Sequence, residues 1–147
     1  MPKIRPAYFP VLAEERPDIA LCRASSYVAR AADAHASQQG LGVGQHLVLK
    51  MLEAVGPCSQ QVLCEELRID RSVMVNLCDD LERAGLVRRE RNPDDRRSYA
   101  VTITDEGRER LAEAESSIPA FLDETFAQLT KSERAQLTAL IGKLMGL

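Results

Sequence analysis

The 147-residue sequence has no tryptophan, only three phenylalanines and three tyrosines, and just two histidines. Its core must therefore be aliphatic, and acid–base catalysis has little to work with. No Ser-His-Asp grouping and no glycine-rich phosphate loop occurs, which argues against an enzyme. The four cysteines, Cys22, Cys58, Cys64 and Cys78, form no Cys-x-x-Cys pair. His35 and His46 have no ligand-spaced partner, so neither zinc nor any other cofactor is expected. The thiols are expected to be free, three of them packed as small hydrophobes. No apolar run approaches the roughly 20 residues of a membrane span. The opening MPKIRPAYFPVLAEERP lacks the apolar middle of a secretion signal, so a cytoplasmic location is expected and a membrane is not.

What is present reads mostly as helix. Hydrophobic residues make up 45% and charged residues 28%, an ordinary balance for a soluble domain. Pro2, Pro6, Pro10 and Pro17 mark residues 1–17 as an extended arm. DIALCRASSYVARAADAHASQQ predicts a long helix over 18–38, which GLGVG ends. QHLVLKMLEAV (45–55) places Leu47, Met51, Leu52 and Val55 at helical spacing. Ser59 is an N-cap for a short helix with Val62, Leu63 and Leu67 as its buried stripe. Asp70 caps the next helix, 70–84, and Gly85 stops it. VRRERN and SYAVTIT alternate like two strands around the turn PDDR. A charged helix then runs from 105 to about 128, kinked or split by Pro119. TKSE (130–133) has capping-box form and opens a last helix carrying Leu137, Leu140, Ile141 and Leu144. Two short helices and a tight turn followed by a hairpin are the winged form of the helix-turn-helix.

In DRSVMVNLCDDLERAGL, Met74, Leu77, Cys78 and Leu81 define an inner face. Ser72, Asn76, Asp79 and Arg83 lie opposite, with Val75 at the flank. Short polar, branched and amide side chains suit base edges: asparagine pairs with adenine and a valine methyl meets the thymine methyl. The alternative is a solvated face. Between Arg83 and Arg97 stand six arginines (83, 88, 89, 91, 96, 97) against three acids, a local +3 in a chain that is −3 overall, leaving −6 elsewhere. Such concentration fits a polyanion, and arginine suits forked phosphate contacts and narrow grooves. Asp95 is placed either to steer the Arg97 guanidinium or to form an ordinary exposed ion pair.

The stretch DRSVMVNLCDDLERAGLVRRERNPDDRRSYAVTITDEG resembles the recognition helix and wing of the MarR family of bacterial transcriptional regulators. The likeness rests on Leu-Glu-Arg-x-Gly-Leu-Val, on Asp-x-Arg from Asp95 to Arg97, and on Ile-Thr-x-x-Gly. It extends from Asp18 through most of the chain. It implies a mainly α fold of six helices plus a two-stranded wing, with residues 18–44 and 105–147 forming a helical dimerisation region. Residues 45–104 would form the winged helix-turn-helix. It implies a homodimer, a repressor by the usual habit of the family, on pseudo-palindromic double-stranded DNA. The helix at 70–84 would enter the major groove and the wing at 92–98 the minor groove through Arg97. The expected DNA-facing residues are Ser59, Gln60, Arg71, Ser72, Val75, Asn76, Arg83, Arg89, Asp95, Arg96 and Arg97. Val75 and Asn76 replace a frequent threonine and arginine, and Asp80 stands where a basic residue is common, so the operator cannot be borrowed.

The resemblance also implies a small aromatic or phenolic effector between the two regions. Tyr27, Arg30 and His46 are candidates for a phenol, a cation and a tunable donor, each with a plain packing role as the alternative. Cys22 lies about one helical turn from the reactive cysteine of oxidant-sensing members; a thiol-based sensor is therefore an alternative, with packing as its plainer role. A winged-helix module that binds an acidic protein partner is the other competing class.

Overall fold

A computed structural model describes residues 7–92, 94, 95 and 97–147. Pro10 and Pro17 each occupy a first-turn position, where the missing N–H is no loss. They open α1 (Phe9–Glu15) and α2 (Pro17–Gln39). The expected extended arm is therefore helical over Phe9–Glu15; its residues 1–6 lie outside the described residues. Gly40, at φ 69, ends α2 in the left-handed region.

Next come α3 (Val43–Val55), a two-residue strand β1 (Cys58–Ser59), α4 (Gln60–Leu67) and α5 (Arg71–Arg83). The Ser59 hydroxyl accepts from the Val62 N–H at 3.2 Å, as its position predicts, whereas Asp70 makes no side-chain cap bond. The turn between α4 and α5 places Arg68 at φ 53, the one non-glycine residue with positive φ among those described. Strands β2 (Val87–Arg91) and β3 (Tyr99–Ile103) pair antiparallel, Val87 opposite Ile103 and Arg91 opposite Tyr99. β1 adds to the other edge of β3, with Cys58 opposite Val101. The expected two-stranded wing is thus part of a three-stranded sheet: after Gly56, at φ 84, Cys58 and Ser59 pair with Val101 and Ala100.

The charged helix divides at Pro119 into α6 (Asp105–Ser116) and α7 (Ile118–Thr125), and α8 (Lys131–Leu144) begins at the predicted Thr130–Glu133 capping box. Among the described residues there are therefore eight helices where six were expected; the arm helix and the proline split supply the two extra. None of these helices is long and apolar enough to cross a membrane.

The core gathers Val48, Leu49 and Leu52 of α3, Leu63 of α4, Met74, Cys78 and Leu81 of α5, Val87, Val101 and Ile103 of the sheet, and Leu111 and Ala114 of α6. Fully burying a large aliphatic side chain contributes about 1.5–3 kcal/mol. The α5 face matches its sequence reading. On α3 the buried set is rotated: Leu47 and Val55 are exposed and Val48 and Leu49 are inside. Val62 is exposed as well. Nothing on α2 or α8 is buried, and Leu140 and Leu144 are 65% and 70% exposed.

One junction joins α6 to the end of α5. The Thr104 hydroxyl donates to the Gly85 carbonyl at 2.7 Å and accepts from the Gly107 N–H at 3.1 Å. The Thr104 N–H donates to the Leu86 carbonyl at 3.0 Å. A Cβ on Gly107 would overlap that Leu86 oxygen and come within 2.8 Å of Ile103 Cγ1. Gly107→Ala is therefore expected to lower stability by about 1–3 kcal/mol, the usual range for overpacking. A lower urea midpoint with an unchanged slope would be the sign.

Candidate nucleic-acid interface

The wing packs so that its turn stands beside the start of α4. Ser59 and Gln60, Arg71 from the first turn of α5, and Asp95 and Arg97 from the wing line one groove of about 450 Å³, with Tyr99 on its wall. Five of the expected DNA-facing residues thus share one polar groove. Ser72, Val75 and Asn76 are exposed on α5, with Val75 at 38%. Arg96 lies outside the described residues.

Within the wing turn, Asp95 works on the backbone. Its Oδ1 accepts the Arg97 N–H at 3.0 Å, while Asn92 Oδ1 accepts the Asp94 N–H at the same distance. No ion pair joins Asp95 to the Arg97 guanidinium. The carboxylate shapes the turn and leaves the cation unneutralised, which is the local bonding an aspartate offers in preference to a ladder.

The other arginines divide. Arg83 pairs with Asp80 at 2.6 Å and Arg88 with Glu90 at 2.5 Å, both well exposed, so these contacts cost little to break. Arg89 is different: its side chain is 23% exposed, and it bonds to Asp79, Glu82 and Gln60. Burial works against its charge, but the Asp79 hydrogen bond and the Asp79 and Glu82 carboxylates outweigh it, so the proton is held more firmly than usual. Arg89 was expected at the DNA, and the structure turns it inward. The strand alternation carries the reason, because Arg89 shares the inner face of β2 with buried Val87. Asp79, read from the helical wheel as outward, is its partner.

A second site lies between α2, α3, α6 and α7. Ala32 and Ala36, Val43 and Leu47, and Ile118 and Phe121 enclose most of a cavity of about 260 Å³, with His35, Gln39, His46, Lys50 and Glu115 as its polar groups. Its size suits a single-ring molecule, since larger ligands occupy about 300–1,000 Å³. His35 stacks on Phe121 with ring centres 4.7 Å apart, and its Nε2 lies 2.8 Å from Ser117 Oγ. Glu115 Oε1 accepts from both Lys50 Nζ and His46 Nε2 at 2.8 Å. Those two bonds, Lys50 first, hold its carboxyl below the ordinary glutamate range. Of the expected effector residues only His46 lines this cavity. Tyr27, Arg30 and Cys22 line no part of it, because α2 turns Ala32, His35, Ala36 and Gln39 inward. Arg30 is about 160° around the helix from Ala32, and Cys22 lies about 15 Å along the axis. Lys50, Glu115 and His35 were missed. The i, i+4 pair His46 and Lys50 was the available signal, but its partner lies 65 or more residues away.

The cysteines differ in burial: Cys78 is buried, and Cys58 and Cys64 are half-buried. Burial pushes the Cys78 thiol up to about 11 and raises that of Cys58, which leaves poor nucleophiles. Cys22 is exposed on α2.

The MarR family model matches residues 39–98, the span that holds α3 to the wing. A Thauera aromatica protein named for a regulatory role at the hcr operon is 30% identical over 106 residues, 72% of this chain and 64% of that protein. Over residues 39–98 the chain is similar to the MarR family. It spans 64% of the length of each of the first two curated relatives it matches. Among solved structures, this chain is similar to Bordetella bronchiseptica BpsR, whose DNA binding is regulated by 6-hydroxynicotinic acid. They share 25% identity with a TM-score of 0.81, over 88% of this chain and 93% of that one. A variant of E. coli MarR complexed with operator DNA has the same fold: TM-score 0.80 and 22% identity, over 90% of this chain and 96% of that one.

Glu115 ties α6 to α3, and its lowered pKa fixes the sign of a pH effect. A carboxylate held below its unfolded value stabilises the fold above that value and loses the contribution as pH falls through the folded one. The melting temperature of Glu115→Gln is expected to lie below that of the unaltered protein at pH 7. The gap should close below about pH 4.3, the ordinary glutamate value. Melts recorded from pH 7 to pH 3 check this.

Proposed function

We propose that this chain is a homodimeric transcriptional regulator, a repressor, that binds pseudo-palindromic double-stranded DNA and responds to a small aromatic ligand. The observation that carries the reading is the shared groove in which Ser59, Gln60 and Arg71 stand beside the wing residue Arg97. A helix with an exposed Ser72-Val75-Asn76 face enters the major groove in this reading, and Arg97 reaches the minor groove next to it. Residues 45–104 form the DNA-binding half; residues 18–44 and 105–147 form the dimerisation region. Leu140, Leu144 and Met145, all exposed on one protomer, supply the apolar surface that a second copy covers.

The ligand belongs in the cavity flanked by His35 and Phe121, a stacked pair that favours a flat ring. This cavity touches α3 of the DNA-binding half as well as α2, α6 and α7, so a ligand that fits one arrangement better shifts how the halves sit. Lys50, His46 and Glu115 are the groups that read its polar substituents.

Fluorescence anisotropy against duplexes upstream of the coding region tests the reading. Arg97→Ala is expected to weaken binding to every sequence and to lower the log–log salt slope by about 0.9. Asn76→Ala should instead relax preference at one or two base pairs, each contributing about 1–3 kcal/mol. Unaltered affinity in Arg97→Ala at moderate salt removes the wing from the interface. A thermal-shift screen of aromatic acids and phenols tests the ligand: a true effector at about 100 times its Kd adds about 2.7 kcal/mol.

A further inference from the structure

Arg89 differs from the other wing arginines in how many elements it joins. Its Nε donates to Gln60 Oε1 at 3.0 Å, its two terminal nitrogens to Asp79 at 2.7 Å and Glu82 at 3.3 Å, and its backbone N–H to Glu82 Oε2 at 3.1 Å. Gln60 opens α4 and lines the polar groove; Asp79 lies one turn beyond Asn76 on α5; Arg89 itself belongs to β2. We propose that Arg89 is a positioning residue for DNA recognition and not a phosphate ligand: its fork locks α5, α4 and the base of the wing into one angle. This rests on the regulator reading above and deepens it.

Three points support it. Each of the three guanidinium nitrogens already has a protein acceptor. Turning outward to a phosphate would strand the half-exposed Asp79 and Glu82 carboxylates and the Gln60 amide oxygen without their shared donor. Finally, a planar fork with fixed donor directions transmits an angle, which a point charge on a flexible stem does not. The distance between the Asn76 face and the Arg97 tip is set across this fork, because α5 carries one and β2 leads to the other.

The salt dependence of binding separates a positioning arginine from a phosphate contact. Each phosphate contact contributes about 0.9 to the slope of log affinity against log salt. A duplex is first selected from a random-sequence pool by the unaltered protein, and affinities for it and for a random duplex are measured across a salt series. For both Arg89→Gln and Arg89→Lys the slope is expected to stay the same while the ratio of selected to random affinity falls about tenfold or more. An unchanged ratio overturns the proposal, as does a slope lowered by about 0.9 in Arg89→Gln that lysine restores. Should Arg89→Gln fail to fold, Asp79→Asn leaves the arginine in place. The same ratio must then fall with no loss of slope, and a preserved ratio overturns the proposal. If the unaltered protein selects no sequence from the pool, the regulator reading itself fails, and that result is visible before any variant is made.

Discussion

The Thr104 hydroxyl serves two elements at once, donating to Gly85 at the end of α5 and accepting from Gly107 in the first turn of α6. Much of the molecule depends on this small joint. It seats α6 directly on the turn that follows α5, and α6 then carries Glu115 to His46 and Lys50 of α3. Its Arg110 also donates to the Gln39 carbonyl at the end of α2. The wall of the cavity between α2, α3, α6 and α7 and the end of α5 are therefore joined by one continuous run of hydrogen bonds. Gly107 is glycine because the Leu86 carbonyl occupies the place of its side chain.

Charge in the wing is organised more economically than its arginine count suggests. Arg83, Arg88 and Arg89 spend their charge on Asp80, Glu90, Asp79 and Glu82. Arg71, Arg91 and Arg97 make no ion pair among the described residues. Local excess charge in the sequence does not say which guanidinium is tied to its own carboxylates and which is not. Exposed pairs such as Arg83–Asp80 are weakly held in water and exchange partners readily. The enclosed Arg89 cluster is held by geometry as well as charge.

Elements with strong periodicity were legible in the sequence. The α5 face of Met74, Cys78 and Leu81, the Gly85 stop and the Thr130–Glu133 box all appear as read. Elements set by tertiary contact were not. β1 is two residues long and exists only because β3 lies beside it. The turn before α5 has no glycine to mark it, since Arg68 adopts the left-handed conformation. The α3 stripe was misplaced because Leu47, Val48 and Leu49 are all apolar and periodicity cannot choose among them. The cavity was least visible: its charged group on α6 meets partners on α3 across 65 or more residues. Strand alternation, applied to Val87, would have turned Arg89 inward from sequence alone.

Helix α8 meets the rest of the chain through Arg134, which pairs with Asp123 and lies over Phe126, and leaves Leu140, Leu144 and the adjoining Met145 open to water. Such a stripe makes folding and association a single mass-action equilibrium when the cover is another copy. The melting point then rises with protein concentration, and dilution alone weakens the fold. A cell holding few copies would thus keep this protein nearer its unfolding threshold than one holding many.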